Sequence, residues 1–208
     1  MARAPGRPPA RARCRTRGQA HGRRAGGAPA QGRAVISLRE VTLTDAPAVR
    51  RIYSAASVRY LPRAPLTAES AAAWVTDRIA ESRATPRMLY CFGIDHADDL
   101  VGVIKLRRAR TSAALSYILR DDAWGHGYAT TAVALVLDFA STTLGLASVD
   151  AKHHPDNHAS GRVLIESGFT RTGRSAEAIT YMRNLAPGAR STVPMRERLS
   201  DGATTAGS

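Results

Sequence analysis

The feature that most constrains this chain is a pair of glycines directly before its longest apolar helical pattern. The sequence DAWGHGYATT occupies residues 122–131, and apolar residues then recur at helical spacing to about residue 143. The first turn of a helix has backbone N–H groups without intrahelical partners, and these groups attract anions. Gly125 and Gly127 let a ligand approach that backbone closely. A tight strand-to-helix turn and a phosphate-binding site are both open interpretations.

The residues beside the glycines fit a phosphate site. Tyr128, Ala129 and Thr130 begin the predicted helix; Ala129 keeps its first turn slim, and the Thr130 hydroxyl can donate a hydrogen bond. His126 and Arg120 can add positive charge close by. Because the motif is neither the GxxxxGK[ST] of a P-loop nor GxGxxG, the glycines alone do not decide between the two interpretations.

A second motif, NHASGRVLIESGF at 157–169, follows a predicted strand. Asn157 is suited to cap a helix, Ser160 fits the first turn, and Gly168 suits the position after the helix ends. These structural roles do not exclude contact with a ligand, so Asn157 and Ser160 are also candidate site residues.

Hydrophobic periodicity predicts the element order β-α-α-β-β-β-α-β-α-β-β. Three consecutive strands favour antiparallel pairing, and the strand–helix–strand unit near 115–154 favours a parallel crossover. The predicted fold class is therefore mixed α/β, without the regular alternation of a Rossmann fold. Strands are predicted at 36–42, 87–95, 100–108, 112–119, 148–154, 169–173 and 178–185, and helices from about residue 45, at 68–83, at 128–143 and at 157–166.

Charge and composition separate both ends of the chain from a predicted domain at 35–186. Residues 1–34 contain nine arginines and no acid, and they hold most of the net charge of +13. We expect a disordered extension there, either an arm that contacts nucleic acid or ribosomes weakly, or an appended segment upstream of the true start. Residues 187–208, rich in Pro, Gly, Ser, Thr and Ala, predict a disordered tail.

Several classes of protein do not fit this sequence. It has no apolar run of about 18 residues, so no transmembrane helix is predicted, and its N-terminus lacks the apolar core of a secretory signal. Cys14 and Cys91 form no metal-binding spacing, so neither a metal site nor a disulfide framework is expected. We expect a cytoplasmic protein that is a monomer or a homodimer.

In their order and spacing, the two motifs resemble those of the GNAT acyl-CoA-dependent N-acetyltransferases, in the branch of the RimJ/RimL ribosomal-protein acetyltransferases. YILRDDAWGHGYATTA looks like the pyrophosphate loop of that branch, and NHAS…SGF is similar to its second motif. LREVTLTDAPAV and LVGVIKL resemble its opening strand and helix and its central strand. The resemblance covers about residues 36–186. It implies a mostly antiparallel mixed sheet, splayed between two parallel strands, with about four helices.

The resemblance also implies a role for each motif. Acetyl-CoA, the cosubstrate, would lie between the strand that ends at Leu119 and the strand 148–154. Backbone groups near Ile118 would hold the pantetheine arm and polarise the thioester carbonyl, and Ser160 would help protonate the departing thiolate. The implied binding set is Ile118, Leu119, Arg120, Gly125, His126, Gly127, Tyr128, Ala129, Thr130 and Asn157.

The base that deprotonates the amine is not assigned by the resemblance, because Ala114 stands where many relatives carry Glu. Open candidates are Glu40, Asp150, His153 and His154; an amine that arrives deprotonated, or a water relay, would need no side chain. His153 is of the residue type that most often acts as a base, but the pattern favours an exposed histidine at a loop edge. Tyr117 could shape the cleft or serve only in packing.

The implied function is transfer of an acetyl group to a primary amine, by direct attack of the amine on the thioester. The acceptor could be a ribosomal or other protein N-terminus, or a small amine such as an antibiotic. Two other classes remain open. One is a non-catalytic acyl-CoA-binding or regulatory module, which the absent carboxylate at position 114 keeps open. The other is a nucleic-acid or ribosome-associated protein that binds through its Arg-rich arm.

Overall fold

A seven-stranded sheet organises residues 35–186, the part of the chain that this computed structural model describes. The strands are β1 (Ser37–Glu40), β2 (Leu89–His96), β3 (Asp99–Ala109), β4 (Ser112–Leu119), β5 (Ser148–His153), β6 (Thr170–Arg174) and β7 (Ile179–Asn184). The helices are α1 (Ala46–Ile52), α2 (Ala55–Val58), α3 (Ala68–Arg83), α4 (Tyr128–Thr142) and α5 (His158–Glu166), with 3₁₀ turns at Leu43–Asp45 and Asp121–Ala123. The predicted extensions at 1–34 and 187–208 lie outside the described residues.

The strands lie in the order β1-β2-β3-β4-β5-β7-β6, and β4 and β5 are the one parallel pair among them in residues 35–186. The register of this pair runs from Ser112–Ser148 to Leu115–Ala151. Beyond it, β4 continues along β3 and β5 continues along β7, so the sheet is open between their C-terminal ends. The predicted mixed sheet, splayed between two parallel strands, is confirmed.

The helix α4 connects these two strands and buries an apolar stripe against one face of the sheet. Residues at a spacing of three and four positions form the stripe, as an amphipathic helix requires. The start of α4 lies at the open end of β4, because the intervening loop is short. The buried residues of α4 are Ala129, Ala132, Val133, Val136, Leu137 and Ala140. Leu164 of α5 joins the same core.

The opposite face of the sheet is covered by α1 and α3 over β2 and β3. Val49 and Ile52 of α1 and Trp74 of α3 pack there against Cys91 and Val103 of the sheet. On β4 and β5 this cover ends, and the residues that share the face are exposed. They are Ala114, Ser116, Asp150 and Lys152.

One helix was not predicted from the sequence. The single turn α2 is capped by the Ser54 hydroxyl, which accepts a hydrogen bond from the Ser57 N–H at 3.3 Å. Four residues are too few to show helical periodicity. With α2, residues 35–186 contain five helices rather than about four. The predicted bounds of β4 and α3 agree with the structure, and the other bounds differ by a few residues.

No helix within residues 35–186 combines the length and the apolar character that crossing a membrane requires. In the same residues, no group of three or more His, Cys, Asp or Glu side chains is arranged to hold a metal ion.

A buried ion network joins β1 to the start of α1 and to β2. The Arg39 guanidinium donates to both carboxylate oxygens of Asp45 at 2.7 and 2.8 Å, and to Asp95 at 2.6 Å. Both carboxylates are buried. Burial alone would raise the pKa of Asp45, but hydrogen bonds from Arg39 and Thr42 outweigh it and lower that pKa.

Replacing Arg39 by methionine is expected to cost about 3 kcal/mol of unfolding free energy, because it leaves two buried carboxylates without their cation. Since the pKa of Asp45 is lowered in the folded protein, its contribution is present above the unfolded pKa of about 4 and is lost as pH falls through the folded value. Urea unfolding at pH 7 and at pH 3 measures both effects. A variant that equals the wild type at pH 7 would contradict the prediction.

Candidate functional site

A cavity of about 410 Å³ opens beside the C-terminal end of β4, where β5 diverges from it. The end of β4, the starts of α4 and α5, and a segment around α2 form its walls. The candidate bases Glu40, Asp150, His153 and His154 do not line the cavity, and neither do Arg120 and His126. The other predicted site residues do: Tyr117, Ile118, Leu119, Gly125, Gly127, Tyr128, Ala129, Thr130, Asn157 and Ser160.

The backbone at the end of β4 faces the cavity at Tyr117 and Leu119 rather than at Ile118. In an antiparallel ladder, the polar groups of alternate residues point to the same neighbouring strand. The Arg120 N–H donates to the Val101 carbonyl at 2.9 Å, so the groups of Ile118, two residues earlier, also face β3. Polarisation of a ligand carbonyl, expected near Ile118, is therefore better suited to the N–H of either neighbour.

Trp124 fixes this end of β4 from the cavity side. Its indole Nε1 donates to the Leu119 carbonyl at 3.2 Å. Leu119 therefore keeps its N–H available to a ligand, while its carbonyl oxygen already accepts the hydrogen bond from Trp124. Trp124 remains partly exposed and lines the cavity.

The start of α4 has the backbone geometry of an anion site. Gly125 and Gly127 have φ of 79° and 77°, a region in which residues with a Cβ are strained. No side chain caps α4, so the N–H groups of its first turn, at Tyr128, Ala129 and Thr130, lack intrahelical partners. A Cβ at either glycine would meet no protein atom within 4 Å, so the space before the helix is open to a ligand.

Arg120 and His126, the predicted sources of positive charge, have other partners. The Arg120 guanidinium binds Asp99 at 2.6 Å and Asp122 at 2.5 Å, and so holds the loop that precedes α4. His126 stacks on the Tyr128 ring with centroids 5.3 Å apart. The groups of the α4 start that remain available to an anion are therefore the backbone N–H groups of its first turn.

Two hydroxyl groups form a pair on the opposite wall of the cavity. The Tyr117 hydroxyl lies 2.9 Å from Ser160 Oγ and 3.1 Å from the Ser160 carbonyl oxygen. Asn157 caps α5, since its Oδ1 accepts a hydrogen bond from the Ser160 N–H at 3.2 Å. Burial raises the pKa of Tyr117 to about 12, so its phenol stays protonated at neutral pH and can donate.

His153 is buried behind α5, not exposed at a loop edge. Its Nδ1 lies 2.7 Å from the His154 carbonyl, which can only accept, so Nδ1 carries the proton. Its Nε2 therefore accepts from the Tyr181 hydroxyl at 3.2 Å. A Cβ on Gly161 would lie 2.8 Å from that nitrogen, so the ring fills the space beneath the helix. This arrangement favours a packing role for His153.

Two other candidate bases are engaged elsewhere. Glu40 lies on the edge strand β1, four strands from β5, and pairs with Arg87 at 2.6 Å. His154 stacks on Tyr60 with centroids 5.4 Å apart, and its Nδ1 accepts from the Asp156 N–H at 3.2 Å.

Asp150 lies on β5 beside Ala114 of β4. Ala114 and Asp150 are Cα partners in the parallel register of β4 and β5, and both are exposed. Paired residues in a sheet project to the same face, and the strands lie about 4.8 Å apart. The Asp150 carboxylate therefore emerges one strand away from Ala114 and on the same face of the sheet.

The segment around α2 belongs to the cavity wall and was missed from the sequence. The Arg59 guanidinium lies 4.7 Å from the Tyr60 ring centroid and 5.5 Å from that of Trp124. Because Tyr60 also stacks on His154, the segment connects the loop before α4 with the end of β5. Arg162 and Glu166 of α5 line the cavity too.

Comparison with known proteins relates this geometry to a family. The family model described as the acetyltransferase (GNAT) domain matches residues 36–170. A curated relative, the uncharacterized N-acetyltransferase p20 of Bacillus licheniformis, is 27% identical over 143 residues, which are 66% of this chain and 80% of p20.

Two solved structures share the fold. The RimJ of Mycobacterium smegmatis, in complex with CoA-disulfide, has a TM-score of 0.62 at 24% identity, and the match covers 73% of this chain and 82% of RimJ. The spermidine N-acetyltransferase of Vibrio cholerae, in complex with CoA and spermine, has a TM-score of 0.61 at 17% identity, with coverage of 72% and 95%. Since the family model spans most of the chain, from β1 to the start of β6, the chain belongs to the GNAT family of acetyltransferases.

Proposed function

We propose that this protein is an N-acetyltransferase that moves the acetyl group of acetyl-CoA to a primary amine by direct attack on the thioester. One observation carries the proposal. The cavity at the splay of β4 and β5 has an uncapped helix start on one wall and a hydrogen-bonded pair of hydroxyls on another. The first suits a pyrophosphate, and the second suits a departing thiolate.

Each part of the cosubstrate has matching groups in this chain. The N–H groups from Tyr128 to Thr130 would hold the pyrophosphate, and the N–H groups of Tyr117 and Leu119 would hold the pantetheine arm and the thioester oxygen. Glycines 125 and 127 leave room for this approach. The binding of CoA and acetyl-CoA by solved proteins of the same fold supports this assignment.

At neutral pH the acceptor arrives mostly as an ammonium ion, so one proton must leave the nitrogen before attack and a second as the tetrahedral intermediate collapses, while one proton must reach sulfur. The amine nitrogen bonds to the carbonyl carbon, the C–S bond breaks, and its electron pair goes to sulfur. Ser160 would donate its hydroxyl proton to sulfur and recover one from Tyr117, which water then reprotonates. We assign the removal of the first proton, which turns the ammonium into the attacking amine, to Asp150, because its exposed carboxylate lies beside Ala114. The second proton leaves to water. No covalent enzyme intermediate is needed.

Release of free thiol from acetyl-CoA, measured against a panel of primary amines, tests the proposed function. Thiol release that depends on an amine, together with an acetylated product seen by mass spectrometry, is the expected result. Tight binding of CoA without release for any amine would support the non-catalytic module instead. Nucleic-acid affinity that vanishes when residues 1–34 are deleted, without any acetyl transfer, would support the Arg-armed binder.

Replacing Tyr117 by phenylalanine or Ser160 by alanine is expected to lower kcat about tenfold to 100-fold with little change in acetyl-CoA affinity, because the pair acts on the leaving group. A thioester with a more acidic leaving thiol should lose less rate in these variants. An equal loss for both thioesters would contradict the assignment. Thr172→Ala removes an exposed hydroxyl on β6 and serves as the control.

A further inference from the structure

Four cationic side chains lie together on the sheet face that α1 and α3 cover, at the edge of that cover. Lys105 of β3 is the register partner of Cys91 on one side and of Ser116 on the other. Cys91 packs against α1 and α3, so Lys105 projects to the same face. We call Arg63, Arg78, Lys105 and Arg107 the basic patch.

Aromatic rings hold two members of the basic patch in place. The Arg63 guanidinium lies 4.6 Å from the Tyr53 ring centroid, and that of Arg78 lies 5.6 Å from the Trp74 ring centroid. The two rings pack on each other with centroids 5.4 Å apart, and both are buried in the core. The position of these cations is therefore set by the packing of α1 and α3.

Little negative charge balances the basic patch within residues 35–186. Arg78 Nε lies 3.0 Å from a Glu81 oxygen, whereas Lys105, Arg63 and Arg107 have no carboxylate within ion-pairing distance there. Cys91 supplies none, because burial raises the pKa of its thiol to about 12.

The environment of Lys105 disfavours its charged form. Burial lowers the pKa of Lys105, and the charges of Arg78, Arg63 and Arg107 lower it further. A partly buried cation among like charges destabilises the protein unless an anion joins it. An anionic ligand would therefore interact at once with three unpaired cations, those of Lys105, Arg63 and Arg107.

The basic patch adjoins the place where the thioester would be attacked. Ser116, the partner of Lys105, directly precedes Tyr117, and both Ala114 and Ser116 are exposed on the face of the patch. Arg107 is the partner of Ala114, and so lies in the same row as Asp150. A small acceptor whose amine lies near Asp150 could direct a second group toward Lys105 and Arg107, whose backbone is two strands or about 10 Å away and whose long side chains can reach back toward it.

We propose, on the basis of the acetyltransferase function proposed above, that the basic patch binds an anionic group of the acceptor. The acceptor is then an amine that also carries a carboxylate or a phosphate close to its nitrogen. Cations at this position repel a polyamine and attract an acidic amine. The residues that set this preference are Lys105 and Arg107, assisted by Arg63 and Arg78.

A matched set of acceptors tests this proposal. β-Alanine, β-alaninamide and 1,3-diaminopropane share a three-carbon chain and differ in charge; ethanolamine and O-phosphoethanolamine test phosphate. The uncharged counterparts of the two acids are β-alaninamide and ethanolamine. We expect at least one acid to have a kcat/KM about tenfold or more above that of its counterpart, and the diamine to have the lowest kcat/KM of the set. The ratio compares the kcat/KM of each acid with that of its uncharged counterpart. The acid with the larger ratio shows whether the site prefers a carboxylate or a phosphate.

Substitutions then locate the preference. Lys105→Met and Arg107→Met should each reduce the ratio of acid to uncharged acceptor to about threefold or less. Arg108→Met removes the same charge from the opposite face of β3 and should keep the full ratio. Equal rates for acids and uncharged amines, a preference for the diamine, or a ratio that survives both patch variants would overturn the proposal.

A binding measurement separates this proposal from the acetyltransferase function. Binding of β-alanine and O-phosphoethanolamine to the CoA-saturated full-length protein is followed by nuclear magnetic resonance titration. If no amine is acetylated but an acid binds in a manner that depends on Lys105, the anion site stands and the proposed function fails. Turnover without acid preference overturns the anion site alone. If the protein shows neither acid binding nor turnover, the anion site is overturned together with the proposed function.

Discussion

Replacing Asp150 by asparagine is expected to lower kcat for acetyl transfer by about 100-fold at neutral pH. A positioned general base contributes roughly 10²- to 10⁴-fold to a proton transfer, and asparagine keeps the shape of the side chain while losing its basicity. The Asp150 carboxylate is exposed beside Ala114. Thiol release at saturating acetyl-CoA and acceptor measures the effect.

The loss should shrink as pH rises toward the pKa of the amine. At alkaline pH a larger fraction of the amine arrives already deprotonated, so the base is needed less. A merely structural role for Asp150 would give a deficit that does not vary in this way. Asp138→Asn removes another exposed carboxylate, on α4, and is the control.

Adding glutamate at position 114 to the Asp150→Asn variant is expected to restore at least about tenfold of the lost rate. The two positions are register partners on one face, so either can carry a carboxylate to the same neighbourhood. A folded double variant without any gain, or an Asp150→Asn variant with near wild-type kcat, would refute the assignment. The amine would then have to arrive deprotonated or lose its proton to water.

Replacing Gly127 by aspartate is expected to weaken acetyl-CoA binding by about 100-fold or more. Gly127 is the N-cap of α4, and a side chain there would enter the open space before the free N–H groups of the first turn. A unit charge about 5 Å from a phosphate charge costs about 3 kcal/mol at an effective dielectric constant of about 20.

Gly127→Asn isolates the charge. Asparagine and aspartate have the same shape, and both tolerate the left-handed conformation better than other residues. We expect both variants to lose a similar 1 kcal/mol or so of stability, while their affinities for acetyl-CoA differ by about tenfold or more. Calorimetric titration and thermal unfolding give the two quantities. Equal affinities in folded variants would place the pyrophosphate elsewhere.

The parts of the candidate site that followed from sequence are those that local backbone chemistry determines. The glycines at 125 and 127 and the apolar stripe of α4 specify a turn into a helix with free N–H groups. Asn157 at the start of α5 specifies its cap in the same way. Such features depend on residues within one turn of one another, so they can be read along the chain.

Features that depend on register or on distant packing could not be read in that way. The resemblance implied a backbone donor near Ile118, and only the pairing of β4 with β3 shows that the groups of Ile118 itself point away from the cavity. The positive charge of Arg120 is neutralised by Asp99, which lies 21 positions earlier in the chain. α2 escaped prediction because one helical turn has no period, and its contact with the cavity arises from the packing of Arg59 and Tyr60.

By itself, the sequence determined the mixed α/β class, the order of the strands along the chain, the family and the loop that suits a pyrophosphate. Those conclusions rest on periodicity and on motifs whose residues are close in the chain. The tertiary structure decided which side chains lie near the proposed acceptor site: His153 is buried behind α5, Asp150 lies beside Ala114, and Lys105 belongs to the basic patch. Strand register and helix packing join residues that are remote in sequence, and no local pattern encodes that pairing.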